Sequence, residues 1–202
     1  MRVITASPFQ KGFDTVLQLS KRHCEIAKSF GFEFVVRYFY NLSQIEIDTI
    51  LDSGLGLIFV NHANNYDYVR ILSDLKKYNI PEGATIFHDI EDTSLTSTDI
   101  IVRSNQLSSN LQLNKYISGV YYGSGCVLTS EELYSLQATR YWNSISREMD
   151  RNSKPVISLA GDCMMQLRPG NFTLPCEIPN FTIDANIVQQ DFKGRYVTMV
   201  VK

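Results

Sequence analysis

The sequence predicts a single α/β domain folded as a small (β/α) TIM-like barrel. Short runs rich in β-branched and aromatic residues alternate with stretches of helical periodicity, and 202 residues fit one domain. Strands alternating with helices of about 10–15 residues imply parallel βαβ units with right-handed crossovers. A closed barrel and an open doubly wound sheet both satisfy that alternation. The open sheet would usually place a glycine-rich phosphate loop after its first strand, whereas here Asp14-Thr15-Val16 follows. The barrel is favoured, with residues 1–202 as one domain and an irregular last third.

Lys11–Asp14 reads as a short strand ending on an acid. Val16, Leu19, His23, Ile26, Ala27 and Phe30 then recur at helical spacing up to Gly31. Phe32–Tyr40 is dense in β-branched and aromatic residues and reads as a strand. Ser43 and Glu46 form a capping-box pattern, opening a helix that closes at Gly54. Leu55–Ala63 is a strand with Asn61 and His62 at its polar end. Tyr68, Ile71, Leu72, Leu75 and Tyr78 form the apolar stripe of a helix that stops before Pro81. Ala84–Glu91 is strand-like, Thr98–Tyr116 helical, and Ile117–Tyr122 a strand running into Gly123-Ser124-Gly125. Leu128–Ala138 is a helix capped by Thr129 or Ser130, and Arg140–Ile145 and Pro155–Leu159 are short strands. Met164–Leu167 and Phe181–Val188 look extended. Across Ser146–Asn180 four prolines (Pro155, Pro169, Pro175 and Pro179) interrupt the chain, so an irregular crossover is expected there.

Composition excludes several classes. Charged residues are 20% and aromatics 11%, which is too few charges and too many rings for a disordered chain. With 19 basic against 21 acidic side chains and a net charge of -2, nothing marks nucleic acid or an anionic membrane as a partner. No apolar run approaches the roughly 20 residues of a membrane span. The first nine residues hold no apolar core of a secretory signal, so the chain is expected to be a soluble monomer, cytoplasmic as synthesised or delivered by a phage or secretion machinery. Cys24, Cys126, Cys163 and Cys176 include no CxxC pair and suit neither a disulfide framework nor a zinc knuckle. Free thiols are expected, with a Cys163–Cys176 bridge left open. GxSxG, P-loop and HExxH motifs are absent, and no cofactor is expected.

In a parallel barrel, chemistry gathers where strands end. The strands here end on Asp14, on Asn61-His62, on Asp89-Ile90-Glu91-Asp92, on Tyr122 and on Trp142-Asn143, while the late extended segment carries Asp184. Side chains alternate along a strand, so Asp89 and Glu91 share one face and His88 takes the other. Two carboxylates on one face in a partly dry cavity cannot both ionise freely, and the retained proton can be donated at neutral pH. Glycoside hydrolysis needs such an acid plus a second carboxylate. A solvated acidic loop capping the next helix is the competing reading. A metal held by His62 and His88 is disfavoured by the same parity, so no metal site is expected; His23 reads as structural. Tyr38, Tyr40, Tyr122 and Trp142 stand at strand ends, where rings either stack on sugar or close the mouth by packing. Arg37 either pairs with a site carboxylate or forms an inter-layer ion pair.

The order of motifs resembles a known family. Gly12-Phe13-Asp14, Val36-Arg37-Tyr38, Gly83–Glu91, Gly119-Val120-Tyr121-Tyr122-Gly123-Ser124 and Ile183-Asp184-Ala185-Asn186-Ile187-Val188 form a series spanning about residues 11–192. It resembles the glycoside-hydrolase-like domain of unknown function 1906, itself similar to the family 25 lysozymes, (β/α) barrels that cut peptidoglycan. By that resemblance Asp14 matches an early Gly-x-Asp, Asp89 and Glu91 match the Asp-x-Glu that holds the catalytic acid, and Asp184 and Asn186 match a late Asp-x-Asn. A tryptophan-glutamine pair frequent in those families is replaced by Met165-Gln166. The resemblance implies a muramidase-like hydrolase of peptidoglycan, with Glu91, Asp89, Asp14 and Asp184 catalytic; the strand-end residues Tyr38, Asn61, Tyr122 and Trp142, together with Gln166, are the expected contacts to the polysaccharide. A non-catalytic glycan-binding barrel and a structural module of a phage or secretion apparatus are the alternatives. The first would pair the acids with Arg or Lys, and the second would block the mouth.

Overall fold

The computed structural model describes residues 1–63, 65–123, 125–144 and 158–202, with backbone alone for 168–172. In chain order the elements are β1 (Arg2–Thr5), β2 (Lys11–Asp14), α1 (Lys21–Ser29), β3 (Phe34–Tyr38), a 3-10 turn (Phe39–Asn41), α2 (Gln44–Asp52), β4 (Gly56–Asn61), α3 (Tyr68–Lys77), β5 (Thr85–Asp89), α4 (Ser97–Leu113), β6 (Ile117–Tyr122), α5 (Ser130–Tyr134), β7 (Arg140–Ser144), β8 (Met164–Thr173), β9 (Thr182–Val188) and β10 (Thr198–Val201).

Strands β2 to β9 close a barrel, in the order β4-β3-β2-β9-β8-β7-β6-β5 and back to β4. Neighbours are parallel from β2 through β8. Strand β9 is the exception, antiparallel to both β8 and β2. Its direction follows from chain length: residues 174–181 are too few for the crossover of a dozen or so residues that a parallel neighbour requires. The closed barrel agrees with the fold read from the sequence, while all-parallel units do not extend to the last strand. The β8–β9 ladder also shifts register between Gln166 and Arg168 and again before Phe172, inside the stretch expected to be irregular; residues 146–157 of that expected crossover lie outside the described residues.

Alternation along the strands separates two environments. Phe34 and Val36, Ile58 and Val60, Phe87, Tyr121, Trp142 and Met164 pack together in the lumen. Their strand neighbours Val35, Leu57, Phe59 and Ile86 join Ile47, Ile50, Leu75 and Leu107 in the layer between barrel and helices. Gly12 faces inward under the Phe34 ring, where an added Cβ would stand 2.2 Å from Phe34 Cε2, so only glycine fits. The pair β1 and β10 is antiparallel and attaches to β4 at Val200↔Leu57. Val197 and Met199 of this edge pack into the lumen cluster, closing the barrel at the end opposite the carboxylates. The sequence reading assigned neither strand.

Several boundaries move for local reasons. The first helix begins at Lys21, not near Val16, because Ser20 caps it and His23 completes the box. Residues 15–19 are instead fastened as a loop: Thr15 Oγ1 donates to the Thr182 carbonyl at 2.9 Å, and Leu19 N donates to Glu46 Oε1 at 2.9 Å. Ser43 caps α2 as read, accepting from Glu46 N, but the Glu46 carboxylate turns inward and so forms only half the expected box. Helix α5 is shorter than the stretch Leu128–Ala138, and Thr129 is its cap. Ser158 to Ala160 form no strand; the rest of the Pro155–Leu159 assignment, Ile145 and Ser124 lie outside the described residues. All four cysteines are free thiols, so the Cys163–Cys176 bridge is not formed.

Candidate active site

Asp14 ends β2, and its Cα partner across the antiparallel β9 ladder is Asp184. Directly opposed residues point to the same side of a sheet, so these two carboxylates from the first and last barrel strands meet in the lumen. Asp14 Oδ1 accepts from Asn186 Nδ2 at 2.6 Å and from Gln166 Nε2 at 3.1 Å. Behind them Trp142 Nε1 donates to Asn186 Oδ1 at 2.9 Å, and the Tyr121 hydroxyl donates to Gln166 Oε1 at 3.2 Å. Each amide thereby has its flip fixed by a donor on its oxygen and presents its NH2 to Asp14.

Asp89 ends β5 on the same inward face as Phe87. Its Oδ1 accepts from Glu91 N at 2.9 Å, which turns the chain so that Glu91 follows at the rim. Glu91 Oε1 accepts from Gly125 N at 2.7 Å. The two glycines after β6 make that approach feasible: a Cβ on Gly123 would stand 2.9 Å from Glu91 Oε1, and one on Gly125 would stand 2.9 Å from Glu91 Cβ.

Asp14 and Asp89 are each only 7% exposed, and burial sets their protonation. Loss of hydration pushes the Asp14 carboxyl up to about 7; Asp184 adds to this while the Asn186 and Gln166 amides oppose it. Burial also pushes Asp89 up to about 7, with the Glu91 and Asp14 carboxylates contributing. Asp89 therefore holds its proton more tightly than an exposed aspartate does, because the strand end is drier than a loop. Among the described residues no Lys or Arg pairs with Asp14 or Asp89.

The structure thus brings Asp14, Asp89, Glu91 and Asp184 together, with Gln166 as a direct partner of Asp14. Tyr38 joins them: burial first, then the fields of Asp89, Asp14, Tyr121 and Glu91, hold its phenol protonated. Trp142 faces the lumen but is fully buried, so it supports the floor through Asn186 and offers no open face to a sugar. Tyr122 and Asn61 are placed elsewhere. Tyr122 points to the helix layer, its hydroxyl donating to Asp162 at 2.7 Å; Asn61 lies beside His88, with Nδ2 3.0 Å from Nδ1. His88 faces the helix layer as parity requires, and burial pushes it down to about 3. Among the described residues no cluster of His, Cys, Asp or Glu could hold a metal ion. Arg37 resolves as a buried inter-layer pair, its Nε 2.9 Å from Glu46 Oε1, and it also donates to the Thr15 carbonyl next to Asp14.

Sequence reasoning missed Tyr121 and left Asn186 out of the site. The signal for Tyr121 was present: Gly119, Tyr121 and Gly123 share the inward parity, so the ring belongs to Tyr121 and not to the strand-end Tyr122.

The class these features define is a closed α/β barrel with three carboxylates at or just past the C-terminal ends of its parallel strands and a fourth, Asp184, near the start of the antiparallel β9. Among solved structures, an uncharacterized B. stearothermophilus protein superposes with a TM-score of 0.66 at 16% identity, covering 89% of this chain and 95% of its own. A glycosyl hydrolase 25 of Streptococcus pneumoniae, described as a virulence factor participating in host cell invasion, superposes with a TM-score of 0.54 at 11% identity, covering 89% and 87%. At these identities the likeness is one of fold. No family model matches the chain, and no curated protein matches it.

Proposed function

We propose that the protein is a glycoside hydrolase of bacterial cell-wall glycan, acting on peptidoglycan in the manner of a muramidase by carboxylate acid/base chemistry. One observation carries the reading: two carboxyl groups with proton affinities lifted to about 7 stand in one barrel mouth with two further carboxylates. Such sets serve glycosidic cleavage, where one carboxyl protonates the leaving oxygen and another stabilises positive charge at the sugar or activates water.

The Glu91 carboxylate is one of the groups that raise the proton affinity of Asp89, and in this mechanism the two acids share the retained proton. Glu91 is the outer member at the rim, and it is the general acid that delivers this proton to the glycosidic oxygen. Asp89 is the inner reservoir and orients Glu91 through its backbone. Asp14, held by Asn186 and Gln166, lies across the mouth with Asp184. In its ionised form, held by the two amide donors aimed at Oδ1, Asp14 stabilises the positive charge that develops on the sugar, and the water that completes the hydrolysis gives its proton back to Glu91. The shared fold with a glycosyl hydrolase 25 supports the reading at the level of architecture.

Glu91→Gln tests it. The substitution preserves shape and the Gly125 contact but removes the transferable proton, so turnover of purified peptidoglycan is expected to fall by about 10²–10⁴ with the melting curve intact. Equal turnover by Glu91→Gln and wild type would remove Glu91 from that role.

A further inference from the structure

Beside the mouth, between the ends of β3 and β4, lies a cleft of about 400 Å³ lined by Tyr40, Asn61, His62, Asn65 and Arg70. Its wall is aromatic: ring centroids are 5.7 Å apart for Tyr38 and Tyr40, 6.1 Å for Tyr38 and His62, and 5.6 Å for Tyr40 and His62. Tyr38 is common to both sites, since its hydroxyl lies in the field of Asp89, Asp14 and Glu91. Tyr40 is 52% exposed and offers its ring to the cleft.

The loop beneath is fixed from within. Asn65 Nδ2 donates to Asn61 Oδ1 at 3.1 Å, Asn61 Nδ2 donates to the Asn65 carbonyl, and Asp67 N donates to Asn65 Oδ1 at 3.2 Å. A wall held this way loses little conformational freedom when a ligand arrives. Arg70 projects from the first turn of α3. Among the described residues Arg70, like Arg2, Arg103 and Arg140, has no carboxylate partner; what sets it apart is its place in the lining of the aromatic cleft. Asp67, the closest acid along the chain, serves as the helix cap and accepts from Arg70 N at 3.1 Å.

We infer that this cleft is a subsite for a carboxylate-bearing sugar unit of the bound glycan, with the Tyr40 ring stacking on the sugar and the Arg70 guanidinium taking the carboxylate. The inference rests on the glycosidase reading of the neighbouring mouth. Its logic is electrostatic. The carboxylates that stay ionised at the mouth disfavour an anionic glycan, and the exposed Arg70 cation beside the aromatic wall offsets that repulsion for a sugar that carries a carboxylate. A cation set beyond Tyr38 offsets the repulsion without disturbing the proton held at Asp89 and Glu91. The carboxylate is that of an ether substituent on the sugar or of an acidic peptide attached to it.

Calorimetric titration on the Glu91→Gln background, which keeps the ligand intact, tests the subsite. Three ligands are compared: peptide-free oligosaccharides alternating N-acetylglucosamine and N-acetylmuramic acid, the same oligosaccharides with carboxyls reduced to alcohols, and peptide-bearing oligosaccharides. The carboxylated forms are expected to bind about fivefold tighter than the reduced form, as a partly exposed ion pair allows. Adding Arg70→Gln should abolish that preference, and Arg70→Lys should keep most of it. A preference confined to the peptide-bearing ligand and lost with Arg70→Gln assigns the carboxylate to the peptide. A preference that survives Arg70→Gln, or no preference at all, overturns the subsite. Wild-type turnover separates the two readings. Cleavage with Arg70-independent binding removes the subsite alone, and Arg70-dependent binding without cleavage leaves the subsite and removes the hydrolytic reading.

Discussion

Asp14 shows how a single buried carboxyl makes stability depend on pH. Its folded proton affinity, raised to about 7 by burial, exceeds that of an unfolded aspartate at 3.8. Between those values the unfolded chain has released a proton that the folded chain still holds. This contribution to stability is therefore complete below about pH 4 and lost as pH rises toward 7. Asp89 behaves in the same sense. Asp14→Asn keeps an acceptor for Asn186 and Gln166 but needs no proton, so it should stabilise the fold at pH 8 by about 2–4 kcal/mol and change little at pH 4. Thermal melts of both proteins at the two pH values check this; a variant less stable than wild type at pH 8 would contradict it. His88, pushed down to about 3, has the opposite slope, losing stability as pH falls from 6.5.

At the scale of elements, the acids are held by what surrounds the strand ends. The turn after β6 passes so close to Glu91 that Gly125→Ala must displace one of them. Turnover should drop by about 10–100-fold with little change in melting temperature, since misplacement by about an ångström has costs of that order. From the helix side, the Arg37–Glu46 pair is fully buried and anchors both Leu19 and the Thr15 carbonyl. Arg37→Leu would strand the Glu46 carboxylate in the layer and should cost about 3–5 kcal/mol in urea denaturation. Most elements were legible in the sequence because their periodicity is local: Ile117–Tyr122 and Lys11–Asp14 appear in the structure with the same bounds. The strands β1 and β10 were not, for four-residue segments show too little alternation to stand out, and they exist through pairing across nearly the whole chain. The 15–20 segment was misread because its apolar spacing mimics a helix while side chains elsewhere hold it as a loop.

The whole molecule joins a parallel barrel to a single reversed strand, and that reversal faces Asp184 with Asp14. The convergence of the four acids was legible through strand ends and parity. Their protonation was not, because dryness depends on lumen packing that no local pattern encodes. The supporting network from Trp142 and Tyr121 through Asn186 and Gln166 was equally hidden, since each bond spans more than forty residues. Val197 and Met199 close the far end of the barrel, opposite the carboxylates. The activity proposed for the carboxylate end is cleavage of glycan. Digestion of purified peptidoglycan by the wild-type protein, with product masses, tests it most directly. Soluble muropeptides with new reducing ends on N-acetylmuramic acid are expected, and peptidoglycan left undigested after prolonged incubation with folded protein would rule the activity out.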